Sequence, residues 1–386
     1  MKLMDITPYY HPTSGGIKTY INYKVEFMKN QDVEHVVVVP GKKPKTYTVG
    51  RTRFYELSSF GLIGGYRFFS SVKEINRIIE EEKPDVVELG GTYLLVPFLK
   101  KGNYLLSVFY HADAKREIEL MTTPSPFKKV LLNHVFEKCL KKADLLLVPT
   151  EKYKREFDTL GFENVYYTPL GVDTELFNPS KRDFYLKKLL GVEESKFLLL
   201  YAGRLSVEKG IKTLMQAFEL LDPSLFHLVV VGKGPLSFLV KWYAKRFNNL
   251  TYIPYLEKGE LSVFYASADL FVSASPFETF GFAFLEAQAS GTPVCAFDLE
   301  LETQILKEFL SKERTPQALA QAIVKGTDLV SKSTRLYLRQ RVEEDFSIFK
   351  NLERIISLYY SKTFALGCSK NPSSELSTQP IKGLGR

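Results

Sequence analysis

Residues 270–296 read LFVSASPFETFGFAFLEAQASGTPVCA, and this stretch decides the fold. It opens with a short apolar run at Leu270–Ser273, continues into good helix formers over Phe282–Ala289 and ends in a second apolar run at residues 293–296. Gly291 stands just past the helical stretch, where glycine commonly ends a helix. A buried strand, a helix and another buried strand in this order are typical of a parallel sheet covered by helices.

The same alternation continues on both sides of this stretch. Apolar strand patterns fall into two series, at residues 36–39, 86–89, 105–110 and 145–149 and then at residues 197–203, 228–232, 270–273 and 293–296. Two series separated by the turn-rich residues 168–173 predict two α/β domains. We expect these domains over residues 1–170 and 171–340, followed by a helix over residues 341–360 and a disordered tail over residues 361–386 that is rich in Ser, Gly and Pro.

The composition limits the classes of partner. The chain has 386 residues and a net charge of +8, from 52 Lys and Arg against 44 Asp and Glu, which favours an anionic partner. Nucleic acid is a poor explanation, because no nucleic-acid-binding module is recognisable and the basic residues are interspersed with acidic ones. A nucleotide, a phosphorylated substrate or a membrane surface fits the charge better.

The N-terminus and the cysteines indicate a compartment. Met1–Thr7 reads directly as a strand with no signal peptide before it, and no run of about 18 apolar residues predicts a transmembrane helix. The three cysteines lie far apart and lack zinc-site spacing, which fits a reducing environment. We therefore expect a cytoplasmic protein.

A candidate anion site lies at the start of the helix in the opening stretch. The backbone amides of Gly281, Phe282 and Ala283 would point out of the helix N-terminus, an arrangement suited to a diphosphate. Glu278 and Glu286 flank this point with seven residues between them. Carboxylates accept hydrogen bonds from vicinal hydroxyls, so the pair could hold a sugar and a ribose on either side of a diphosphate. The alternative is that both glutamates are ordinary solvated residues.

This segment resembles the signature of the retaining glycosyltransferases of family four, which have the GT-B architecture of two facing Rossmann-like domains. The chain keeps the two spaced glutamates, the Phe-Gly pair between them and the Glu-Ala, Ala-Ser-Gly and Pro-Val runs. The resemblance implies a cleft between the domains and a C-terminal helix that returns to the N-terminal domain. It also implies retaining transfer of a hexose, such as mannose or glucose, from a UDP- or GDP-linked donor to a glycan or lipid-linked acceptor of the cell envelope.

The resemblance also assigns roles in the second domain. Glu278 would hold the donor sugar as a catalytic residue, and Glu286 would hold the ribose. Residues 201–210, YAGRLSVEKG, resemble a run of the family in which Arg204 and Lys209 neutralise the donor diphosphate. The chain contains no Asp-x-Asp pair, so we expect no essential metal and no other cofactor. The family usually has an acidic residue where Lys233 stands, which makes base recognition less certain there.

In the first domain, residues 11–20 form a Gly-rich stretch that enters a helix. Its Gly15 and Gly16 resemble the family's loop that covers the donor phosphates, although ordinary strand–helix turns also contain such a pair. His111 closes a buried strand and resembles a sugar-contacting histidine on the acceptor side of the cleft. Asp113 stands one position later than the acidic residue that some relatives carry after this histidine.

Two features leave alternatives open. Leu299–Glu313 lacks the glycine-containing loop of the family, so an edge of the second domain is expected to be shortened or replaced. Residues 127–142 carry five lysines and one glutamate on a helical pattern, which fits either packing on the sheet or a peripheral contact with an anionic inner membrane surface. Other functions on the same architecture are a nucleotide-sugar epimerase, a glycogen-type phosphorylase, and a non-catalytic protein that binds sugar nucleotides or membranes.

Overall fold

The computed structural model describes residues 1–10, 16–61, 67–91, 93–111 and 125–365. Two separate sheets, one in each half of the chain, confirm the α/β class with two parallel-sheet domains. All eight strand patterns found in the sequence are strands of these sheets. Within the described residues, no helix combines the length and the apolar character needed to cross a membrane.

The first sheet has nine strands, with β3, β4, β2, β1, β6, β7, β8 and β9 side by side and β5 paired with β4. All neighbours are parallel except β3 and β5, which run antiparallel to β4. The strands are β1 (Lys2–Ile6), β2 (Glu34–Gly41), β3 (Lys45–Val49), β4 (Thr52–Gly61), β5 (Arg67–Phe69), β6 (Val86–Gly90), β7 (Leu105–Phe109), β8 (Leu145–Val148) and β9 (Val165–Tyr167). The helices are α1 (Gly16–Met28), α2 (Val72–Glu82), α3 (Ser125–His134) and α4 (Glu151–Thr159).

The second sheet has six parallel strands in the order β12, β11, β10, β13, β14, β15. They are β10 (Phe197–Ala202), β11 (Phe226–Val231), β12 (Leu250–Ile253), β13 (Leu270–Ser273), β14 (Val294–Phe297) and β15 (Leu310–Ser311). The helices of this half and the C-terminus are α5 (Leu186–Leu189), α6 (Ile211–Glu219), α7 (Ser237–Arg246), α8 (Lys258–Ser267), α9 (Phe282–Ala289), α10 (Pro316–Leu329), α11 (Lys332–Asp345) and α12 (Ile348–Ala365).

The chain crosses between the domains twice, and the two crossings are hydrogen-bonded to each other. The amide of Val172 donates to the carbonyl of Phe346 at 2.9 Å, and the amide of Ile348 donates to the carbonyl of Val172 at 3.0 Å. Gly171 allows this approach, because a Cβ there would lie 2.3 Å from the carbonyl oxygen of Phe346. After the second crossing α12 packs against α1, so the chain returns to the N-terminal domain as expected.

The C-terminal boundaries differ from the sequence prediction. The expected helix over 341–360 is two helices, because the second crossing interrupts it between Asp345 and Ile348. The last helix then reaches Ala365, so residues 361–365 of the expected tail are helical. Thr363 is buried there and its hydroxyl donates to the carbonyl of Tyr359 at 2.8 Å. Residues 366–386 lie outside the described part of the chain.

The segment after Asp298 is replaced rather than missing. Glu300 adopts the left-handed conformation with φ of 56°, at a place where the family has a glycine-containing loop. The chain then forms a short helical turn at Lys307–Phe309 and pairs β15 with β14. Gln304 stabilises the start of this segment, since its side chain accepts from the amide of Leu299 and donates to the carbonyl of Phe297. The edge of the second domain is therefore complete.

A buried charged cluster lies between the first sheet and helices α1 and α12. The ammonium group of Lys24 is fully buried and contacts Asp5 and Glu88, each at 2.7 Å. Burial opposes ionisation of Asp5, but Lys24 and the hydrogen bond from His35 outweigh it and lower the pKa of Asp5 to about 2. Tyr359 of α12 donates to Glu88 at 2.5 Å, so the cluster also fastens the returning helix.

Candidate active site

A glycine in the left-handed conformation precedes the N-terminus of α9. Gly281 precedes the helix with φ of 80°, and a Cβ at this position would lie 2.8 Å from the ring of Phe284. Gly281, Phe282 and Ala283 all line a cavity at the carboxyl edge of the second sheet. The structure therefore presents the first amides of α9 to a space that a ligand can enter, as the sequence predicted.

Two adjoining cavities share this helix N-terminus as a wall. One has a volume of about 310 Å³ and the other of about 510 Å³. The smaller cavity is lined by residues of both domains, among them Gly16, His111, Pro149, Lys209, Glu278 and Gly281. The larger one lies toward α8 and is lined among others by Arg204, Lys233 and Glu286. The arrangement offers one compartment for a sugar and one for a nucleoside, with the α9 amides between them.

Lys209 and Glu278 form an ion pair across the smaller cavity, with 2.6 Å between Nζ and Oε1. Lys209 ends a helical turn that follows β10, and Gly210 comes next with φ of 66°. A Cβ on Gly210 would lie 2.0 Å from the carbonyl oxygen of Ala274, so the turn packs directly against the chain that leads to Glu278. Glu278 is thus a partly buried, paired residue of the site, and the alternative of a solvated loop glutamate is wrong.

Glu286 lies on the wall of the larger cavity and accepts a hydrogen bond from the hydroxyl of Tyr265 at 2.9 Å. Burial raises its pKa to about 7, although the Tyr265 hydroxyl and Lys258 act in the opposite direction. Because it stands on the cavity wall, the carboxyl group of Glu286 can accept hydrogen bonds from a ligand in its ionised form, and its raised pKa is typical of functional sites. The sequence did not identify Tyr265, because its position on α8 reads as part of an ordinary amphipathic helix.

His111 lies two residues past the end of β7 and lines the smaller cavity from the N-terminal domain. Only 8% of it is exposed, and its ring stacks on Phe109 at 4.1 Å. Neither ring nitrogen has a hydrogen-bond partner among the described residues. Burial, with Lys24 nearby, lowers the pKa of His111 to about 3, so the imidazole is neutral at pH 7. A neutral ring with a free donor and a free acceptor suits contact with a hydroxyl.

The remaining predicted residues occupy different positions. Arg204 lines the larger cavity and is mostly exposed, 3.8 Å from Glu208. Gly16 begins α1 and meets the second domain, since a Cβ on it would lie 2.6 Å from the ring of Phe282. Gly15 and Asp113 lie outside the described residues.

The basic helical stretch at residues 127–142 has a buried part and an exposed part. Val135, Phe136 and Leu140 are buried against the N-terminal domain, which confirms packing on the sheet. Phe127 and Val130, near the start of α3, are each 69% exposed. The beginning of the stretch therefore presents apolar side chains to the outside of the domain.

Comparison with protein families gives two matches that together cover most of the chain. The model described as "Glycosyl transferases group 1" matches residues 185–344, and the model described as "Glycosyltransferase Family 4" matches residues 14–176. Each match covers most of one of the two domains. The first includes Arg204, Lys209, Glu278 and Glu286.

Individual relatives match over nearly the whole length. The GDP-mannose-dependent alpha-(1-6)-phosphatidylinositol dimannoside mannosyltransferase of Mycobacterium tuberculosis is 25% identical over 359 residues, which is 89% of this chain and 92% of the relative. The alpha-monoglucosyldiacylglycerol synthase of Acholeplasma laidlawii is 24% identical over 79% of each chain. Among solved structures, a sucrose-phosphate synthase from Thermosynechococcus elongatus superposes with a TM-score of 0.77 at 19% identity, over 94% of this chain and 99% of that one.

Proposed function

Because the chain belongs to the group 1 glycosyl transferases and has their GT-B architecture, we propose that it transfers a hexose from a nucleotide sugar to a lipid-linked acceptor with retention of configuration. Its activity as a glycosyltransferase follows from the family. The choice of sugar, nucleotide and acceptor, and the retention, are our proposal. The observation that carries it is the Lys209–Glu278 pair at the α9 N-terminus, inside a cavity lined by both domains.

GDP-mannose is the first donor to test, and UDP-glucose is the alternative donor. Two observations support a nucleotide diphosphate donor: the α9 amides separate two compartments, and cationic side chains stand on both sides of them. The preference for GDP-mannose rests on the mycobacterial relative, whose name states that it depends on this donor. The preference for a lipid-linked acceptor rests on that relative and on the diacylglycerol-glycosylating one.

Each site residue then has a physical task. The amides of Gly281, Phe282 and Ala283, with Lys209 and Arg204, stabilise the negative charge that develops on the leaving diphosphate. These positive groups do this without a metal ion in our proposal. Glu278 accepts hydrogen bonds from the donor sugar, and Glu286 from the ribose. Gly16 allows α1 to close against Phe282 from the other domain.

The acceptor reaches the sugar from the N-terminal domain. The neutral imidazole of His111 contacts a hydroxyl but is too weak a base at pH 7 to remove its proton. We therefore assign the proton of the acceptor hydroxyl to the leaving phosphate, on the same face of the sugar as the departing bond. This geometry retains the configuration at the anomeric carbon.

The deciding experiment measures transfer of radiolabelled hexose from GDP-mannose and UDP-glucose to phosphatidylinositol and diacylglycerol in mixed micelles. We expect one donor to be used and Glu278→Gln to lower turnover by roughly 100-fold. Glu308→Gln is the control, because Glu308 is an exposed carboxylate on the same domain outside both cavities. Full activity of Glu278→Gln would contradict the proposed site. Nucleotide binding without transfer would favour a non-catalytic binding protein, and interconversion of the free donor would favour an epimerase.

A peripheral position at the inner membrane surface follows from a lipid acceptor. The exposed Phe127 and Val130 stand on a stretch with five lysines, a combination that binds anionic interfaces. Co-sedimentation with vesicles that contain phosphatidylglycerol tests this. We expect Phe127→Ser with Val130→Ser to weaken binding, and the exposed pair Phe184→Ser with Leu189→Ser of the other domain to have no effect. Equal binding by both variants would contradict a contact through α3.

A further inference from the structure

Glu302 joins the two domains beside the active site. It belongs to the replaced segment after β14, and its carboxylate reaches the N-terminal domain. Oε1 accepts a hydrogen bond from the amide of Glu151 at 2.6 Å, and Oε2 accepts one from the hydroxyl of Tyr167 at 2.8 Å. Both carboxylate oxygens are therefore used across the domain boundary.

The contact on the N-terminal side is electrostatically favourable. Glu151 is the first residue of α4, whose positive end attracts a negative charge. The hydroxyl of Thr150 caps the same end by accepting from the amide of Tyr153, so Glu302 takes a different amide. Burial and the Glu302 carboxylate both raise the pKa of Tyr167, which keeps its hydroxyl protonated as a donor.

The next residue, Thr303, connects the same segment to the loop that precedes α9, which we call the donor loop. The hydroxyl of Thr303 is buried and donates to the carbonyl of Phe280 at 2.6 Å, immediately before Gly281. The side chain of Gln288 on α9 donates to the carbonyl of Thr303 at 2.6 Å. Glu302 is thus connected through one short, hydrogen-bonded path to the loop that opens α9.

Both ends of this connection border the cavity. Phe280 and Gly281 line it from the second domain, and Pro149, two residues before Glu151, lines it from the first. On the basis of the proposed function, we propose that Glu302 is a positioning residue that latches the N-terminal domain onto the donor loop and so holds His111 over the donor sugar. It touches neither donor nor acceptor in this role.

The latch can open without unfolding either domain. Glu302 and Tyr167 are only partly buried, and a crevice of about 520 Å³ lies beside them, lined by residues of both domains. The two chain crossings at Val172 and Ser347 join the domains independently of Glu302. Loss of the latch should therefore change how often the domains are closed, and leave the fold and the nucleotide compartment intact.

The test compares Glu302→Gln with the wild type and with Glu308→Gln, an exposed carboxylate six residues later in the same segment. We expect kcat to fall about tenfold in Glu302→Gln, because an amide cannot accept from both donors and places an N–H against one of them. The dissociation constant for GDP should change by less than about twofold, since neither Glu302 nor its partners Glu151 and Tyr167 line the nucleotide compartment. Small-angle scattering with saturating GDP should give a larger radius of gyration for this variant only.

Tyr167→Phe provides a second, milder variant. It removes one of the two bonds, so we expect a loss of about threefold in kcat, and the double variant should be no worse than Glu302→Gln alone within about twofold. Unchanged kcat and scattering in Glu302→Gln would overturn the latch. So would a loss of GDP binding together with lower thermal stability, since that indicates a purely structural role. If the wild type transfers no sugar, the proposed function fails, whereas the scattering comparison still decides whether Glu302 holds the domains together.

Discussion

Two lysines of this chain bind carboxylates in opposite ways. Lys24 lies fully buried between Asp5 and Glu88 at 2.7 Å each, under the first sheet. Lys209 binds the single carboxylate of Glu278 at 2.6 Å, with 32% of its side chain exposed at the cavity. The bond lengths are nearly equal, but the surroundings are not.

The two lysines differ in whether another group could reach the ammonium or its carboxylate partners. The carboxylates of Asp5 and Glu88 that bind Lys24 also have Tyr20, His35 and Tyr359 as hydrogen-bond partners. The cluster is therefore closed, and no position is left at which water could replace a partner. Around Lys209 the cavity leaves room for a phosphate, which can share the ammonium group with Glu278. A closed cluster maintains the fold, whereas the open pair fits the ligand contact that we propose for it.

Substitution of Lys24 should have the largest effect and should act on stability. Lys24→Met leaves Asp5 and Glu88 buried without a cation, which costs about 3–5 kcal/mol of unfolding free energy. Lys29→Met, one residue past the end of the same helix, is the control, because the Lys29–Glu26 pair is exposed and contributes little. Chemical denaturation followed by circular dichroism measures both. Equal stability of the two variants would show that the buried cluster does not support the fold.

The same substitution at Lys209 should act on catalysis. Lys209→Met removes a positive charge from the diphosphate position, and we expect turnover to fall by roughly 100-fold. The unfolding free energy should change by less than about 1 kcal/mol, since the pair is partly exposed. Lys212→Met, on the exposed face of α6, should match the wild type in both assays. A stability loss as large as that of Lys24→Met would remove the distinction between the two lysines.

The sequence predicts one lysine of this comparison and not the other. Lys209 lies in a motif whose residues are adjacent along the chain, so spacing and resemblance sufficed to find it, together with Glu278 and Glu286. Lys24 lies on an ordinary helical pattern, and its partners Asp5 and Glu88 come from β1 and β6, brought together only by folding. The same holds for Glu302, whose partners are 151 and 135 residues away along the chain.

The strands that the sequence predicts differ from the missed ones in burial. The continuous apolar runs of the sheet centres were found because both faces of those strands are buried. The antiparallel strands β3 and β5 were missed, and so were β4, β9, β12 and β15. The side chains of β3 and β5 are exposed or only partly buried, so no buried apolar run marks these two strands.

Tyr359 tests how far the closed cluster extends. Tyr359→Phe removes a hydrogen bond to Glu88 and one to Ser107, and we expect a loss of about 1.5–3 kcal/mol because one acceptor is charged and buried. Tyr360→Phe is the matched control, since its hydroxyl donates to the carbonyl of Asp32 at the surface. Denaturation curves compare the two. A loss no larger than that of the control would mean that α12 is held by apolar packing alone.

The smallest expected effect is a pH dependence of donor binding at Glu286, in the open site. Burial raises the pKa of Glu286 from 4.5 to about 7, so the unliganded protein gains stability from the neutral carboxyl below pH 4.5 and loses it as the pH rises through about 7. A ribose that donates hydrogen bonds favours the carboxylate. The dissociation constant for GDP-mannose should therefore fall by up to about tenfold between pH 6 and pH 8.

GDP-mannose is the better probe for this measurement than GDP, because its diphosphate is esterified at both ends and does not titrate in this range. Glu286→Gln should bind more weakly with no pH dependence. Tyr265→Phe should move the midpoint to higher pH, since the Tyr265 hydroxyl lowers the pKa of Glu286 by donating to it. If calorimetry shows the same slope in the wild type and in Glu286→Gln, the titrating group is elsewhere and Glu286 does not hold the ribose. A slope confined to the proteins that keep Glu286 would instead show that this carboxylate, unlike the permanently paired Asp5 and Glu88, changes its protonation when the ligand arrives.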